Sequence, residues 1–471
     1  MLPLEIPQMA LDVSNLPFSN LGLPATQLSN LNSLGYLKMT AIQAAALPLA
    51  LLGSDLIAQA KTGSGKTAAF ALPLLSRLNP QLFAVQALIL CPTRELASQV
   101  ASEIRRLARY QSNIKVVILC GGQSIGPQIG SLEHGAHVVV GTPGRIKDHL
   151  RKETLSLACV NTLVLDEADR MLEMGFIEDI EAIIAQTPVD RQTLLFSATY
   201  PDNIQVLSNR FQKSPQRVSV EFFHTEQEIM QRFFVCQKND RLASLVKLLA
   251  HFQPQAVVVF CNTKQLVREV CEYLSQSGIQ AQALHGDMEQ RDRDQVLIQF
   301  KHLSCNILVA TDVAARGLDI DDLSAVVNFE LPRNAEVYVH RIGRTGRAGK
   351  EGIALSLFAD SERYKLQSIG DYQQREVEFE AIEQLEHTNA SVPLPPYATL
   401  VIAGGRKEKV RAGDILGALT GDAGIDGKAV GKITVTDYAA YVAITQGVAD
   451  KALGRLLNGK IKGRKFKVRK L

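Results

Sequence analysis

The sequence lacks two features that would mark a membrane or secreted protein. No uninterrupted apolar run reaches the ~18–20 residues that a bilayer-spanning helix needs. The first residues, Met1–Leu11, do not follow the basic-then-apolar order of a secretory signal peptide. We therefore expect a cytoplasmic protein without a membrane partner.

Paired cysteines are also missing. The seven cysteines are scattered, their number is odd, and no two of them stand at C-x-x-C spacing. Neither a disulfide framework nor a structural zinc site is expected, and most of the thiols should behave as small buried hydrophobes. His134 and His137 stand three residues apart, but no third candidate ligand lies nearby in the sequence. We interpret both as turn or surface histidines rather than metal ligands.

The length and the charge distribution indicate several domains with a polyanionic partner. A chain of 471 residues is too long for one hydrophobic core, and its 46% hydrophobic and 21% charged residues exclude a disordered or fibrous protein. Residues 398–471 contain 15 Lys/Arg and 6 Asp/Glu, which leaves 36 basic and 42 acidic residues in 1–397. This basic C-terminal block favours nucleic acid over a membrane as the partner, although a solvated face without a partner stays possible.

Short β-branched runs alternate with helical patterns from about residue 55. Continuous apolar strands separated by helices predict a parallel sheet covered on both faces. The alternation restarts after the polar stretch at 213–228, which predicts a second domain of the same class. The strands expected in the two domains are Asp55–Gln59, Gln86–Cys91, Lys115–Cys120, His137–Val140, Thr162–Asp166, Thr193–Phe196, Ala256–Phe260, Gln280–Leu284, Asn306–Ala310, Ala325–Phe329 and Ile353–Phe358.

A third, smaller domain is expected after the Pro-rich segment Val392–Pro396, which is typical of a stiff linker. The pattern beyond it predicts the order β-α-β-β-α-β of the ferredoxin-like fold, which RRM domains use. The elements expected there are Ala398–Ala403, Gly413–Leu419, Val430–Val435, Tyr441–Thr445, Ala449–Leu457 and Lys465–Arg469. The predicted domain boundaries are 1–216, 217–385 and 398–471, with the linker at 386–397.

The segment Ala60-Lys-Thr-Gly-Ser-Gly-Lys-Thr67 follows an expected strand and opens an expected helix, which is the setting of a phosphate-binding P-loop. Gly63 and Gly65 let the backbone turn so that its N–H groups surround phosphate oxygens. Lys66 should reach the β- and γ-phosphates, and the Thr67 hydroxyl should help to hold Mg²⁺. Alanine replaces the first glycine of the pattern. A glycine-rich turn without a ligand is the alternative, which the Gly-Lys-Thr triplet disfavours.

Two carboxylates end an apolar strand downstream, in Asp166-Glu-Ala-Asp169. The carboxyl end of such a strand lies at the sheet edge that also carries the phosphate loop. We expect Asp166 to coordinate Mg²⁺ and Glu167 to activate the water that attacks the γ-phosphate. Without a P-loop in the same sheet, a solvated helix start would explain these residues equally well.

Arginines alternate with glycines in His340-Arg-Ile-Gly-Arg-Thr-Gly-Arg-Ala-Gly349. So many glycines disfavour a plain helix. Guanidinium groups at 341, 344 and 347 on a tight turn suit a clamp on developing phosphate charge. A surface salt-bridge array is the alternative. If the arginines and the P-loop belong to different domains, the ATP site is complete only when the domains close.

With these motifs in view, residues 18–370 resemble the DEAD-box RNA helicases, which have two tandem RecA-like P-loop domains with parallel sheets. Besides Asp-Glu-Ala-Asp and the arginine motif, the shared motifs are Gly35-Tyr36, Thr40-Ala-Ile-Gln43, Pro92-Thr-Arg-Glu-Leu-Ala97, Gly121-Gly122, Thr142-Pro-Gly-Arg145, Ser197-Ala-Thr199, Val258-Val-Phe-Cys-Asn262 and Ala310-Thr-Asp-Val-Ala-Ala-Arg-Gly-Leu-Asp319. Met39 and Ala41 stand where many members have prolines. The resemblance implies an RNA-dependent ATPase and non-processive RNA helicase that uses ATP and Mg²⁺.

The resemblance also implies a role for individual residues. The catalytic residues would be Lys66, Asp166, Glu167, Arg344 and Arg347. The nucleotide would be bound by Phe18, Tyr36, Gln43, Ala60, Lys61, Thr62, Gly63, Ser64, Gly65, Lys66, Thr67 and Asp319, within a first domain that includes the Q-motif segment 16–44. Thr67 and Asp166 would hold Mg²⁺, partly through water. Coupling between the ATP and RNA sites would involve Asp169, Ser197, Thr199 and His340. RNA would be contacted by Thr93, Arg94, Gly122, Thr142, Arg145, Asn262 and Thr311. Such groups reach phosphates and 2′-hydroxyls rather than base edges.

The C-terminal segment Gly404-Gly-Arg-Lys-Glu-Lys-Val-Arg-Ala-Gly-Asp-Ile-Leu-Gly-Ala-Leu419 resembles the RNA-binding domain of DbpA-type DEAD-box proteins, which recognise a hairpin of 23S ribosomal RNA. Val401 and Ala439 stand where an RRM usually has stacking aromatics. The RNA-binding residues expected here are Arg406, Lys407, Lys409, Arg411, Tyr441, Arg464, Lys465, Lys467 and Arg469. The implied partners are a 23S hairpin with its adjacent duplex and pre-50S particles. A non-specific basic anchor is the alternative.

Two other functions stay open besides a helicase that acts in large-subunit assembly. An ATP-gated RNA clamp would serve as a binding platform rather than as an unwinding enzyme. The intact Lys66, Glu167 and Arg344 favour the enzyme, because a clamp could lose them. A DNA helicase is disfavoured by the Asp-Glu-Ala-Asp motif together with Gln43.

Overall fold

The computed structural model describes residues 16–60, 63–200, 202–220, 229–315, 323–346, 352–385, 391–421 and 424–471. Within these ranges the chain forms two compact units, the first ending and the second beginning between residues 220 and 229. None of the helices in the described ranges combines the length and the apolar character that crossing a bilayer would require.

The first unit contains a parallel seven-stranded sheet with helices on both faces. Its strands are β1 (Leu56–Gln59), β2 (Ala87–Leu90), β3 (Val116–Leu119), β4 (Val138–Gly141), β5 (Thr162–Asp166), β6 (Gln192–Ser197) and β7 (Gln216–Ser219). Its helices are α1 (Ala25–Ser33), α2 (Ala41–Leu51), α3 (Lys66–Ser76), α4 (Arg94–Leu107), α5 (Gly126–Leu132), α6 (Pro143–Arg151), α7 (Ala168–Glu173), α8 (Ile177–Ile184) and α9 (Asp202–Phe211). The strand order is β3-β4-β2-β5-β6-β1-β7.

Successive residues of the central strands enter different cores, which explains their continuous apolar runs. Val164 of β5 and Leu194 of β6 belong to the core on one face, whereas Leu163 and Leu195 belong to the core on the other. Both faces of the sheet are therefore buried, which is typical of parallel sheets. The sequence missed β7 because it is an edge strand in which only Val218 is buried, so it has no apolar run.

The second unit begins with another parallel seven-stranded sheet, in the order β10-β11-β9-β12-β13-β8-β14. Its strands are β8 (Ile229–Val235), β9 (Val257–Cys261), β10 (Gln282–Leu284), β11 (Ile307–Thr311), β12 (Ala325–Asn328), β13 (Gly352–Phe358) and β14 (Glu380–Ala381). Its helices are α10 (Arg241–Phe252), α11 (Lys264–Gln276), α12 (Gln290–Lys301), α13 (Asp312–Ala315), α14 (Ala335–Ile342) and α15 (Arg363–Gln373). The sequence pattern did not predict β8 or β14, because polar residues break the apolar run of β8 and β14 has only two residues. Arg232 of β8 forms an ion pair with Glu380 of β14.

The C-terminal part of the second unit confirms the predicted ferredoxin-like arrangement. Its elements are β15 (Tyr397–Ile402), α16 (Ala412–Thr420), β16 (Val430–Val435), β17 (Ala440–Thr445), α17 (Ala449–Asn458) and β18 (Val468–Lys470). They form an antiparallel sheet in the order β16-β17-β15-β18. The last strand was expected at Lys465–Arg469 but begins only at Val468, where pairing with Ile402 starts. Ile461 and Arg464 are hydrogen-bonded to each other in a tight turn, so the chain cannot join the sheet until after this turn.

The outer face of this small sheet packs against the end of α12 and the loop that follows it. Thr399 and Tyr441 lie on that face and are only 1% and 7% exposed. The Thr399 hydroxyl lies 2.6 Å from the hydroxyl of Ser304, and the Thr434 hydroxyl lies 2.9 Å from His302 Nε2. Burial lowers the pKa of His302 to about 4, so its ring is neutral in this contact near neutral pH. The C-terminal domain is thus docked through its sheet.

The Pro-rich segment joins these two parts without forming a helix or strand in its described residues, 391–396. It runs along the second unit, where Asn306 Nδ2 donates to the carbonyl of Pro393 at 2.6 Å and Val392 packs against the core. The rest of the expected linker, 386–390, lies outside the described residues.

Most of the cysteines are buried, as predicted, and one histidine corrects the prediction. Among the described residues no cluster of His, Cys, Asp and Glu could hold a metal ion, and five of the seven cysteines are buried. His134 is exposed as predicted, but His137 is fully buried, and the prediction of a surface residue was wrong. Its Nδ1 accepts a hydrogen bond from Lys115 N, and its Nε2 lies 3.1 Å from Pro80 O. These backbone partners satisfy a histidine inside the fold.

Candidate functional site

The first sheet places the predicted residues along one edge, in two neighbouring halves. Ala60, Asp166 and Ser197 lie at the carboxyl ends of β1, β5 and β6, which are adjacent strands. Thr93, Gly122 and Thr142 follow β2, β3 and β4, which form the other side of the sheet. Ligands of open parallel sheets bind at this edge. The candidate nucleotide and RNA residues therefore share one surface and meet between β2 and β5.

The phosphate loop has the backbone that its glycines were expected to allow. Gly63 and Gly65 both have positive φ, 84° and 91°, and Gly65 directly precedes α3. A Cβ atom at Gly65 would lie 2.4 Å from Gln43 Nε2, so no other residue fits there without displacing that side chain. Ser64 and Thr67 are half-buried beside the loop. Lys61 and Thr62 lie outside the described residues.

Both polar atoms of the Gln43 side chain are hydrogen-bonded to the backbone, one of them to the phosphate loop. Its Nε2 donates to the carbonyl of Gly65 at 3.1 Å, and its Oε1 accepts from the backbone N–H of Thr40 at 3.0 Å. Phe18 packs edge-on against Tyr36, whose hydroxyl donates to Glu103 at 2.8 Å. The Q-motif glutamine is therefore tied to the phosphate loop, and adenine contacts by Gln43, Phe18 and Tyr36 stay a prediction.

Two charged groups at this edge of the sheet, Lys66 and Asp166, are buried. Lys66 Nζ and Asp166 Oδ1 are both buried, and neither has a hydrogen-bond partner among the described residues. Burial raises the pKa of Asp166 to about 6, against the opposing influence of the Lys66 charge. Unsatisfied buried charges are costly and rarely persist without a purpose. An ammonium and a carboxylate oxygen in this state fit a ligand that brings phosphates and a divalent cation.

Glu167 directly follows β5, and Asp169 lies in the first turn of α7. Glu167 has left-handed backbone angles, φ 53° and ψ 52°, an unusual conformation for a residue with a side chain that is frequent at functional sites. Asp169 Oδ2 accepts from Ala198 N at 3.2 Å, from Thr199 N at 3.1 Å and from Thr199 Oγ1 at 3.0 Å. The Ser197 carbonyl in turn accepts from Ala60 N at 2.9 Å. The segment 197–199 thus connects the Asp-Glu-Ala-Asp turn to the start of the phosphate loop.

The half of this edge that carries the predicted RNA-binding residues is built on helix N-termini and glycine. Thr93 caps α4, its hydroxyl accepting from Leu96 N at 3.3 Å, and Thr142 directly precedes α6. Gly122 has φ 71°, and a Cβ there would lie 1.8 Å from Arg94 Nη1, so the guanidinium lies directly on the glycine. Arg145 donates from Nη2 to the carbonyl of Gln123 at 2.9 Å. Two arginines and two helix N-termini give this half a positive potential suited to phosphates.

The second unit brings Asn262, at the end of β9, next to Asp312, which follows Thr311 of β11. Arg341 joins them: its guanidinium donates to Asp312 Oδ1 and Oδ2 at 2.7 and 2.8 Å and to Asn262 Oδ1 at 2.8 Å. It also donates to Asn328 Oδ1 and to the Glu330 carbonyl. The sequence placed Arg341 with the phosphate-clamping arginines, and this was wrong, because the group is buried and bonded to its own domain.

The rest of the arginine motif is only partly described. Arg344 lies half-buried in the turn after α14, and its carbonyl accepts from Leu323 N. His340 lies on α14, with its Nε2 3.9 Å from Glu336. Asp319 and Arg347 fall outside the described residues. Asp312, Asn328 and Glu330 are the residues that sequence reasoning missed here, although Asp312 belongs to a motif that it quoted.

Of the predicted RNA-binding residues of the C-terminal domain, the cations are exposed and the tyrosine is buried. The exposed cations are Arg406, Lys407, Lys409, Arg411, Arg464, Lys465, Lys467 and Arg469. Tyr441 is different, because its ring lies under α12 on the docked face of the sheet and is not open to RNA in this arrangement. Sequence reasoning also missed Tyr438, which is 64% exposed beside Lys407. It lies in a polar turn, where no strand periodicity singles it out.

Three protein families match successive parts of the chain. Residues 40–207 match the DEAD/DEAH box helicase family, and residues 237–349 match the helicase conserved C-terminal domain. Residues 399–470 match the DbpA RNA binding domain. The first match covers the phosphate loop and the Asp-Glu-Ala-Asp turn but begins after Phe18 and Tyr36, and the second covers the arginine motif.

Individual proteins similar to this chain belong to the same families. The chain is 52% identical over 457 residues to the ATP-dependent RNA helicase DbpA of Escherichia coli (strain K12), which covers 96% of this chain and 99% of the relative. It is 46% identical over 353 residues to the DEAD-box ATP-dependent RNA helicase CshA of Bacillus anthracis, covering 75% of this chain and 67% of the relative. Among solved structures, S. cerevisiae Dbp5 bound to RNA and ADP BeF3 matches with a TM-score of 0.71 and 30% identity, over 78% of this chain and 95% of that one.

Proposed function

Since the chain belongs to the DEAD-box ATP-dependent RNA helicases, in their DbpA type, we propose that it remodels a hairpin of 23S ribosomal RNA and the adjacent duplex. The remodelling would serve assembly of the 50S ribosomal subunit, on pre-50S particles in the cytoplasm. Unwinding would be local and non-processive. In this proposal the chain has three domains, 1–216, 217–385 and 398–471, with a linker at 386–397.

We propose that ATP is bound by the phosphate loop and hydrolysed by the neighbouring carboxylates. The backbone N–H groups at 63–67 would surround the phosphates, and the Lys66 ammonium, which is buried without a partner among the described residues, would contact the β- and γ-phosphates. Asp166 and Thr67 would hold Mg²⁺, partly through water. When bound, Mg²⁺ supplies positive charge against the phosphate oxygens. Glu167 would orient the attacking water and take its proton.

Arg344 and Arg347 would contact the γ-phosphate, and Asp319 would bind the ribose. These roles rest on the motifs that the chain shares with its family. A guanidinium that approaches the transferred phosphoryl group stabilises the charge of the transition state. Arg341 has no such role in the proposal, since its five donated bonds are taken up inside its own domain.

The coupling of ATP hydrolysis to RNA would run through Asp169. This carboxylate accepts three bonds from Ala198 and Thr199, and Ser197 is bonded to Ala60 at the start of the phosphate loop. A shift of the loop on nucleotide binding would therefore move the segment 197–199 as well. RNA would lie along Thr93, Arg94, Gly122, Thr142 and Arg145, and in the second unit along Asn262 and Thr311. His340 would support this coupling from the second unit.

The observation that carries the choice of ribosomal RNA is the exposed basic surface of the C-terminal domain, in a segment that matches the DbpA RNA binding domain. The predicted RNA-binding cations form two groups, at 406–411 and at 464–469, and all eight of them are exposed. Exposed cations at this density bind a phosphate backbone and make the affinity depend strongly on salt. The sequence preference would then come from this domain, because the core contacts backbone groups.

We expect the double variant Lys409→Glu/Arg411→Glu to lose its preference for ribosomal RNA. Two lost phosphate contacts should weaken binding of a 23S fragment that contains the hairpin and lower the slope of log affinity against log salt by about 2. ATPase stimulation by an RNA without the hairpin should change little. Titrating both RNAs in a steady-state ATPase assay at several salt concentrations measures these effects.

The matched control is Lys428→Glu/Lys451→Glu, which reverses two exposed charges elsewhere in the same domain. The control should keep the preference for the ribosomal fragment. If Lys409→Glu/Arg411→Glu also kept that preference, the specificity would not come from this surface, and the choice of ribosomal RNA would lose its support.

A further inference from the structure

An RRM-type domain that recognises RNA needs a surface for stacking bases, and the usual one is occupied here. Bases normally stack on the exposed face of the sheet. In this protein that face is covered by the helicase part of the same unit. Ser304 and His302 contact Thr399 and Thr434, and Gln295 of α12 accepts from Arg469 at 3.5 Å. The aromatic residue on this face, Tyr441, is buried beneath them.

The domain offers another aromatic residue at the edge of the same sheet. Tyr438 lies in the turn between β16 and β17 and is 64% exposed. This turn is bonded to the loop after β15, since Arg406 N donates to Thr436 O at 2.9 Å and Lys407 N donates to Asp437 O at 3.0 Å. The two loops approach so closely that a Cβ at Gly405 would lie 2.4 Å from the Thr436 carbonyl. The ring is therefore carried by a fixed pair of loops.

A lysine from the neighbouring loop contacts this ring. The Lys407 ammonium donates to the Tyr438 hydroxyl and lies 4.4 Å from the centroid of the ring. Arg406 is exposed next to it, with its Nη1 3.6 Å from Asp437. The other nearby carboxylate, Glu408, accepts from the Gly405 N–H and is thus engaged in the loop itself. An exposed aromatic ring beside cations is the combination with which proteins hold unpaired nucleotides.

We propose that Tyr438 stacks an unpaired base of the bound RNA, while Arg406 and Lys407 contact the phosphates next to that base. The ligand is a single-stranded loop nucleotide, because a base paired within a duplex has no free face for the ring. The docked sheet keeps its contact with α12 throughout. The proposal rests on the proposed function only in taking RNA as the ligand of this domain.

The test compares the binding of three full-length variants to a 23S ribosomal hairpin and to an unrelated hairpin, each with 2-aminopurine in its loop. Tyr438→Ala should bind the RNA that the wild type prefers about 5- to 100-fold more weakly, the loss expected for one stacked base. Tyr438→Phe keeps the ring and should bind within about twofold of the wild type. Tyr364→Ala removes an equally exposed tyrosine, at 66%, from α15 and should bind like the wild type.

Fluorescence provides the second readout. Stacking quenches 2-aminopurine, so the wild type and Tyr438→Phe should quench the loop signal and Tyr438→Ala should not. If Tyr438→Ala bound both hairpins as tightly as the wild type and quenched equally, the proposal would be overturned. A wild type without preference for the ribosomal hairpin would count against the proposed function alone, because a loss of binding in Tyr438→Ala would still support the stacking site.

Discussion

Replacing Glu167 by glutamine should reduce RNA-stimulated ATP hydrolysis by about 10²–10⁴-fold, the usual contribution of a general base. The amide has nearly the same shape as the carboxylate but cannot take a proton from the attacking water. The left-handed backbone at this position, with φ 53°, is equally accessible to glutamine, so the fold should not change. ATP affinity should stay close to that of the wild type, because the phosphate loop and Lys66 are untouched.

Two measurements separate these effects. Single-turnover hydrolysis with saturating RNA reports the chemical step, and binding of a fluorescent ATP analogue reports the affinity. Glu133→Gln, at an exposed position of the same unit, is the matched control and should hydrolyse ATP like the wild type. Turnover in Glu167→Gln near the wild-type rate would remove this residue from the reaction and would contradict its proposed role as the general base.

Replacing Arg341 by methionine should destabilise the helicase part of the second unit by about 3 kcal/mol, the lower end of the range for breaking a buried ion pair. The arginine side chain is buried and donates to Asp312, Asn262, Asn328 and Glu330, all of which would lose a partner. We expect a destabilisation at the lower end of this range because the Asp312 side chain is 21% exposed and can be hydrated in the variant. We therefore expect loss of stability before loss of any single step in the reaction.

Hydrogen–deuterium exchange measures the loss of stability in each part of the chain separately. A local measurement is needed because a chain of two units need not unfold in one step. Amides of β9, β11 and β12 should exchange roughly 100-fold faster in Arg341→Met, while those of β2 and β5 should not change. Arg268→Met, which removes an exposed ion pair with Asp287, is the control and should cost less than about 1 kcal/mol. Unchanged exchange together with abolished hydrolysis would instead make Arg341 a phosphate contact, as the sequence pattern suggested.

The sequence was most informative where local chemistry requires a particular residue. The positive φ of Gly63 and Gly65, the buried strand before Asp166, and the order of the C-terminal elements all follow from patterns that are visible in one dimension. Strands buried on both faces could be located for the same reason. The edge strand β7 could not be located, since only Val218 of it is buried, and β8 could not, because Gln231 and Arg232 interrupt its apolar residues.

The partners of a polar or aromatic group were much harder to predict. The motif places Arg341 next to arginines that are predicted to contact phosphate, but only the fold shows Asp312 and Asn262 around its guanidinium. Tyr441 has the alternation of an exposed sheet residue, yet the contact with α12 covers it. The Arg341 contacts join residues 29 and 79 positions apart, and Tyr441 follows α12 by more than a hundred positions, so no local pattern predicts them. Tyr438 was missed for the converse reason, because a lone aromatic in a polar turn has no periodicity to mark it.

We propose that RNA stimulates ATP hydrolysis by this chain through contacts to its backbone and 2′-hydroxyl groups, and that the C-terminal domain selects ribosomal RNA. Steady-state ATP hydrolysis by the full chain should therefore be measured with a 23S fragment, with an unrelated structured RNA and with single-stranded DNA of the same sequence as the fragment. We predict the strongest stimulation, at the lowest concentration, by the 23S fragment, weaker stimulation by the other RNA and almost none by DNA. Equal stimulation by DNA and RNA would contradict the account.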